Sequence, residues 1–205
     1  MYGTFPAALA PGVRDLMRAN QQCYSYFDGT AAGGMDAVNR FGDYVAAHGS
    51  FYTVLAFSLG GALVSAFLLR PDTGNERLQQ AKHQIRSVAF INSIMPSAWD
   101  ELESNGDGQV TVLRAAMVAA ENSFIDIPTV HAWSSKDVHY PGIGSQIMLM
   151  CREECRVEVK HSAGLRVPMQ NEAAVLASAV RSESYDRVVS VRAKKKREGM
   201  SVAEI

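Results

Sequence analysis

The sequence predicts an α/β fold, a mostly parallel sheet flanked by helices. Three observations predict it. Segments of strand character alternate with helical ones along the chain. The strand segments are apolar runs without polar alternation, and one of them leads directly into a serine, two glycines and an Ala- and Leu-rich helix. Unalternated apolar runs mark parallel strands covered on both faces. Strand–helix alternation marks the crossovers that join such strands.

The elements follow in order. Residues 1–22 are small and proline-punctuated at first, read as an irregular N-terminal segment with a short helix over Val13–Gln22. Tyr24-Ser-Tyr-Phe-Asp-Gly-Thr30 reads as a surface loop turning at Asp28-Gly29. Between Met35 and His48, Val38, Phe41 and Val45 recur at spacings of three and four, which predicts an amphipathic helix stopped by Gly49. Phe51–Phe57 is a buried strand, Leu59–Leu69 a helix broken at Arg70-Pro71, 71–80 a polar loop, and Ile85–Asn92 a second strand. Residues 95–126 are irregular apart from a helical stretch over Val110–Glu121. Then come a strand at Pro128–Trp133, a helix at Gly144–Cys151, a strand at Cys155–His161 and a helix at Glu172–Arg181. The domain spans 23–181, and 182–205 forms a tail ending in the basic run Arg192–Arg197, read as solvated.

Composition narrows the function. The 205 residues suit one domain with a sizeable core. A net charge of −1 supplies no global field for nucleic acid or an anionic membrane. Three cysteines, Cys23, Cys151 and Cys155, are an odd and sparse set, which predicts a reducing, cytoplasmic setting. Cys151 and Cys155 lack a second ligand pair at zinc spacing and read as thiols at a helix-to-strand junction. The N-terminus does not read as a signal peptide, and the apolar run 55–69 falls short of the roughly 20 residues a bilayer requires. Neither cofactor nor metal is expected. Asp107-Gly108 resembles part of a calcium loop but lacks its alternating ligands and closing glutamate.

The most specific motif is Ala56-Phe57-Ser58-Leu59-Gly60-Gly61. A nucleophile elbow forces its serine into a strained backbone, so residues two positions either side must be small. Ala56 and Gly60 meet that condition, and the Leu59 amide, at a helix start, suits a developing oxyanion. The alternative is an ordinary turn whose serine caps the helix.

From about Cys23 to Arg181 the chain resembles the fungal serine hydrolases of the FSH type. The matching stretches are Tyr24–Gly29, Met35–Gly49, Phe51–Leu69 with the elbow, Asn92-Ser93, Pro128–Asp137 and His161-Ser-Ala-Gly-Leu-Arg-Val-Pro168. The resemblance implies an α/β-hydrolase fold and an ester or thioester substrate, including polyketide acyl chains delivered on a carrier protein. It implies Ser58 as nucleophile and Asp137 as the acid, although Asp137 also reads as a turn aspartate. The family histidine follows a glycine, as Gly-His-x-Val-Pro, where this chain has Gly164-Leu165-Arg166-Val167-Pro168. Leucine cannot accept a proton. His161 is the substitute base the reading names, with His139 as second choice and His48, His83 and His131 behind. The family's opening strands and His-Gly oxyanion loop have no counterpart among residues 1–22, so N-terminal strands are expected to be missing, with an open sheet edge and a homodimer as consequences. Trp99, Leu102, Val112 and Met117 are expected to line an acyl pocket or to be plain core. Drift to a non-hydrolytic metabolite- or partner-binding protein is the alternative function.

Overall fold

Four of the apolar runs become one parallel sheet. The computed structural model describes residues 5–6, 18, 21–26, 28, 30–71, 76–96, 124–138, 142–168 and 171–181. In chain order the elements are β1 (Phe5–Pro6), β2 (Tyr24–Ser25), α1 (Ala31–His48), β3 (Val54–Phe57), α2 (Leu59–Leu69), α3 (Glu76–His83), β4 (Val88–Ile91) and β5 (Thr129–Ser134). There follow α4 (Ile143–Gln146), which tightens into a 3-10 turn at Ile147–Met150, then β6 (Arg156–His161) and α5 (171–181). The large sheet has the order β3-β4-β5-β6, all parallel, while β1 and β2 form a separate antiparallel pair. The expected α/β fold is the one observed.

Strand alternation sorts the core into two layers. On one face Val54, Ala56, Val88 and Phe90 pack with α1, α2 and α3 through Val38, Val45, Val64, Phe67, Leu78 and Ala81. On the other, Ala89, Ile91, Val130, Ala132 and Val159 pack with Leu176 of α5. This second layer stops short of β3. Leu55 and Phe57 are 68% and 41% exposed, so β3 is not covered on both faces as its composition suggested. β3 lies at the end of the strand order, and α5 packs over β4, β5 and β6 instead.

Helix boundaries follow local chemistry. Thr30 caps α1, its Oγ1 accepting from Gly33 N–H at 3.0 Å, and Asp28 in turn accepts from the Thr30 amide and hydroxyl. The helix therefore starts at Ala31, four residues before the expected start at Met35. Gly49 ends it with φ −65°, an extended conformation, so its role is not the left-handed cap glycine often supplies. The segment read as the polar loop 71–80 contains the start of α3. That helix buries only Leu78 and Ala81 and turns the rest of its surface to water, too narrow a stripe to announce itself. Cys151 and Cys155 are buried thiols flanking the turn into β6. Burial pushes the Cys151 thiol up to about 12, which leaves it inert as a nucleophile. The predicted helix 110–121, the pocket residues Trp99, Leu102, Val112 and Met117, the Asp107 loop, His139 and the basic tail lie outside the described residues.

His131 is a structural histidine. It is completely buried, stacked on Phe90 with ring centroids 5.2 Å apart, and its Nε2 lies 3.0 Å from Thr129 Oγ1. Burial first, then the Arg156 charge, lowers its pKa from 6.5 to about 3. A folded value below the unfolded one means that the unfolded chain takes up the proton first. Stability is therefore full above about pH 6.5 and drains as the pH falls towards 3. A His131→Gln variant, which carries no titrating ring, is expected to show a flatter loss of melting temperature between pH 6.5 and 4. Identical slopes in the two proteins would contradict this.

Candidate active site

Ser58 stands where β3 ends and α2 begins, with φ 50° and ψ −119°. Residues other than glycine rarely occupy that region, and holding one there costs about 1–3 kcal/mol. The surroundings enforce it. The Ser58 amide donates to Ile91 O at 3.1 Å, and its carbonyl accepts from Gly61 N–H at 2.9 Å and Ile94 N–H at 3.2 Å. Its side chain makes no capping bond to α2, so the helix-cap alternative does not describe it. The residue is half-buried at the carboxyl edge of the sheet, where ligands of parallel sheets bind.

The steric condition falls one residue later than the motif suggested. Gly60 has open space at its Cβ position, whereas a Cβ on Gly61 would overlap the Ser93 side chain and stand 3.2 Å from the Ser93 Cα. Ser93 is buried there because its Oγ donates to Ala56 O at 2.8 Å. Ala56, Gly61 and Ser93 thus form the tight packing behind the bend. Leu59 is the first residue of α2, and first-turn amides of a helix have no partner in the preceding turn.

Asp137 and His161 lie at the same carboxyl edge, on the loop after β5 and at the end of β6. Both are buried. Asp137 closes a turn by donating its amide to Ser134 O at 3.2 Å. His161 Nδ1 accepts from the Ala163 amide at 3.3 Å, and its Nε2 is buried without a hydrogen-bond partner. Burial lowers its pKa below 6.5, while the carboxylates of Glu172 and, to a lesser degree, Asp137 pull it back up. Glu172 itself accepts from Ser162 N–H at 2.7 Å and Ser162 Oγ at 2.8 Å, which holds its carboxyl below the usual range. The structure therefore places Asp137 within electrostatic reach of His161. It forms no hydrogen bond from His161 to Ser58. Three strand spacings, roughly 14 Å of backbone, separate β3 from β6.

Leu165 is buried in the loop that returns from β6 towards the elbow. Asn92, at the end of β4, donates its side-chain amide to Gly164 O at 3.1 Å and Arg166 O at 3.0 Å. Ser134 Oγ accepts from Gly164 N–H at 3.2 Å and Lys136 N–H at 3.1 Å, joining this loop to the one that carries Asp137. Of these partners, Asn92-Ser93 and Ser134 lay within matching stretches and Glu172 at a helix start, but nothing local marked Ser134 or Glu172 as part of the site. Their contacts become visible only when strands distant in sequence are set side by side. Among the described residues no group of three or more His, Cys, Asp or Glu side chains is placed to hold a metal ion. No helix among them is long and apolar enough to cross a membrane.

A strained serine between a parallel strand and a helix, in a parallel sheet flanked by helices, is the framework of an α/β hydrolase. The family model described as "Serine hydrolase (FSH1)" matches residues 13–176, and the chain belongs to that family. It is similar to the Fusarium mangiferae protein named Esterase FPY3, with 26% identity over 168 residues covering 81% of this chain and 71% of the relative. Family and relative together support a hydrolase function of the esterase type.

Proposed function

We propose that the protein is an esterase or thioesterase acting on an acyl substrate through Ser58, with polyketide-type acyl chains as the substrate class. The observation that carries the reading is the Ser58 backbone, φ 50° and ψ −119°, at the head of α2. A strained conformation persists only where surrounding structure over-determines it, and such strain concentrates at functional sites. In this reading Ser58 Oγ gives its proton to a base and attacks the acyl carbonyl, and the Leu59 amide stabilises the oxyanion. The alcohol or thiol departs with that proton, and water then hydrolyses the acyl-serine to release the acid and restore the hydroxyl. His161 acts as the base, kept neutral by burial and flanked by Asp137. With Nδ1 accepting from Ala163, the neutral ring carries its hydrogen on Nε2, so service as a base requires the opposite tautomer and a movement of the chain at the end of β6 that brings the ring to Ser58. Turnover is accordingly slow.

One observation favours a second reading. Leu165 fills the family's histidine position, and a serine with no base within reach is a weak nucleophile. A protein that keeps the elbow but has left hydrolysis would bind a hydrophobic metabolite or a partner at the same edge. Initial rates on p-nitrophenyl esters and acyl-N-acetylcysteamine thioesters separate the two. The hydrolase reading expects slow turnover that Ser58→Ala removes. Turnover equal in the two proteins, or none above buffer in either, sinks it. We propose a cytoplasmic location and self-association into a homodimer as the setting, which fractionation and light scattering check.

A further inference from the structure

We infer that Asn92 is a positioning residue that fixes the loop carrying residue 165 relative to the nucleophile elbow, an inference that rests on the Ser58 hydrolase reading. Three consecutive residues after β4 make three different ties. Asn92 binds the returning loop, Ser93 Oγ binds Ala56 O in the strand that leads to the serine, and Ile94 N–H binds Ser58 O itself. The segment is a strut of fixed length, with the elbow at one end and residue 165 at the other.

The chemistry of the clamp is selective. One side-chain amide has two hydrogens, and here they meet two carbonyls that flank residue 165, Gly164 O at 3.1 Å and Arg166 O at 3.0 Å. Asn92 is buried and its φ is 43°, in the left-handed region. Asparagine combines tolerance of that backbone with two donors on a short side chain. Aspartate shares the shape and the backbone tolerance, but its carboxylate offers no donor and repels both carbonyls. Glycine accepts the backbone and has no side chain to donate. The Asn92 backbone is itself anchored, its N–H donating to Ala132 O at 2.8 Å in β5. Gly164, with φ 64°, supplies the bend that turns its carbonyl towards Asn92 while its amide reaches Ser134 Oγ. Position 165 is thus held from both sides independently of which side chain it bears.

The test joins a structural readout to a kinetic one. In the otherwise natural protein, Asn92→Asp is expected to speed amide hydrogen exchange of the peptide spanning 162–168 about tenfold or more, the worth of a lost buried hydrogen bond. In a Leu165→His background, Asn92→Asp is expected to cut kcat for a p-nitrophenyl ester about tenfold or more while KM stays within about twofold. Unchanged exchange in the loop overturns the clamp. Faster exchange with kcat equal to that of Leu165→His alone overturns the positioning role and leaves a structural contact. If Leu165→His itself brings no turnover, the hydrolase reading fails, and the exchange experiment still decides whether Asn92 holds the loop. Asn92→Gly keeps the positive φ and serves where the aspartate variant fails to fold, with the same outcomes.

Discussion

Leu165→His is expected to raise ester turnover by about 10²- to 10⁴-fold, the usual contribution of a positioned general base. Most of the machinery is already in place. Ser58 is held in the strained bend, the Leu59 amide heads α2, and the loop bearing residue 165 is clamped by Asn92 and Ser134. Ser134 also ties that loop to the turn carrying Asp137. A histidine there has an acid on the neighbouring loop to set its tautomer, which is the arrangement serine hydrolases use. Leu165 is buried, so the new ring replaces an apolar side chain of similar bulk. The check is kcat/KM on a short p-nitrophenyl ester, measured for the natural protein, Leu165→His, and Leu165→His with Ser58→Ala. A gain that vanishes without Ser58 is the expected pattern. No gain argues that the pocket has moved away from hydrolysis.

Phe67→Ala is expected to destabilise the protein by about 3–5 kcal/mol. Phe67 is fully buried, meets Phe41 edge-on with centroids 5.2 Å apart, and lies so close to α1 that a Cβ on Gly42 would stand 2.9 Å from its ring. Truncation leaves a cavity between α1 and α2, and α2 is the helix whose first turn forms the elbow. Single domains have about 5–15 kcal/mol in total, so the loss is large. Urea unfolding followed by circular dichroism measures it. A midpoint shift equivalent to less than about 1 kcal/mol would mean the two helices are not packed as described.

Much of this architecture was legible in the residues because it is written in short-range patterns. The apolar runs marked all four strands of the sheet, and the helix after Ser58 could be read from its Ala and Leu content. The elbow was legible as well, since a strand, a serine and small residues lie side by side in sequence. What escaped was whatever depends on partners far along the chain. Leu55 and Phe57 read as doubly covered, but coverage is decided by where α5 lands, over β4 to β6. The Asn92 clamp spans 72 and 74 residues and needs a positive φ that no local pattern announces. The environment of His161 is set by Glu172 on the following helix and by the Ala163 amide, neither of which spacing alone reveals. α3 escaped for the opposite reason, a short helix with two buried residues on an otherwise polar surface.

The central claim is that the hydroxyl of Ser58 is poised to take an acyl group. Incubation with a fluorophosphonate probe followed by peptide mapping tests it with no assumption about substrate. The account predicts a covalent adduct on the peptide containing Ser58, slow to form and absent in Ser58→Ala. A protein that stays unlabelled at high probe concentration, or whose label persists when Ser58 is removed, contradicts it.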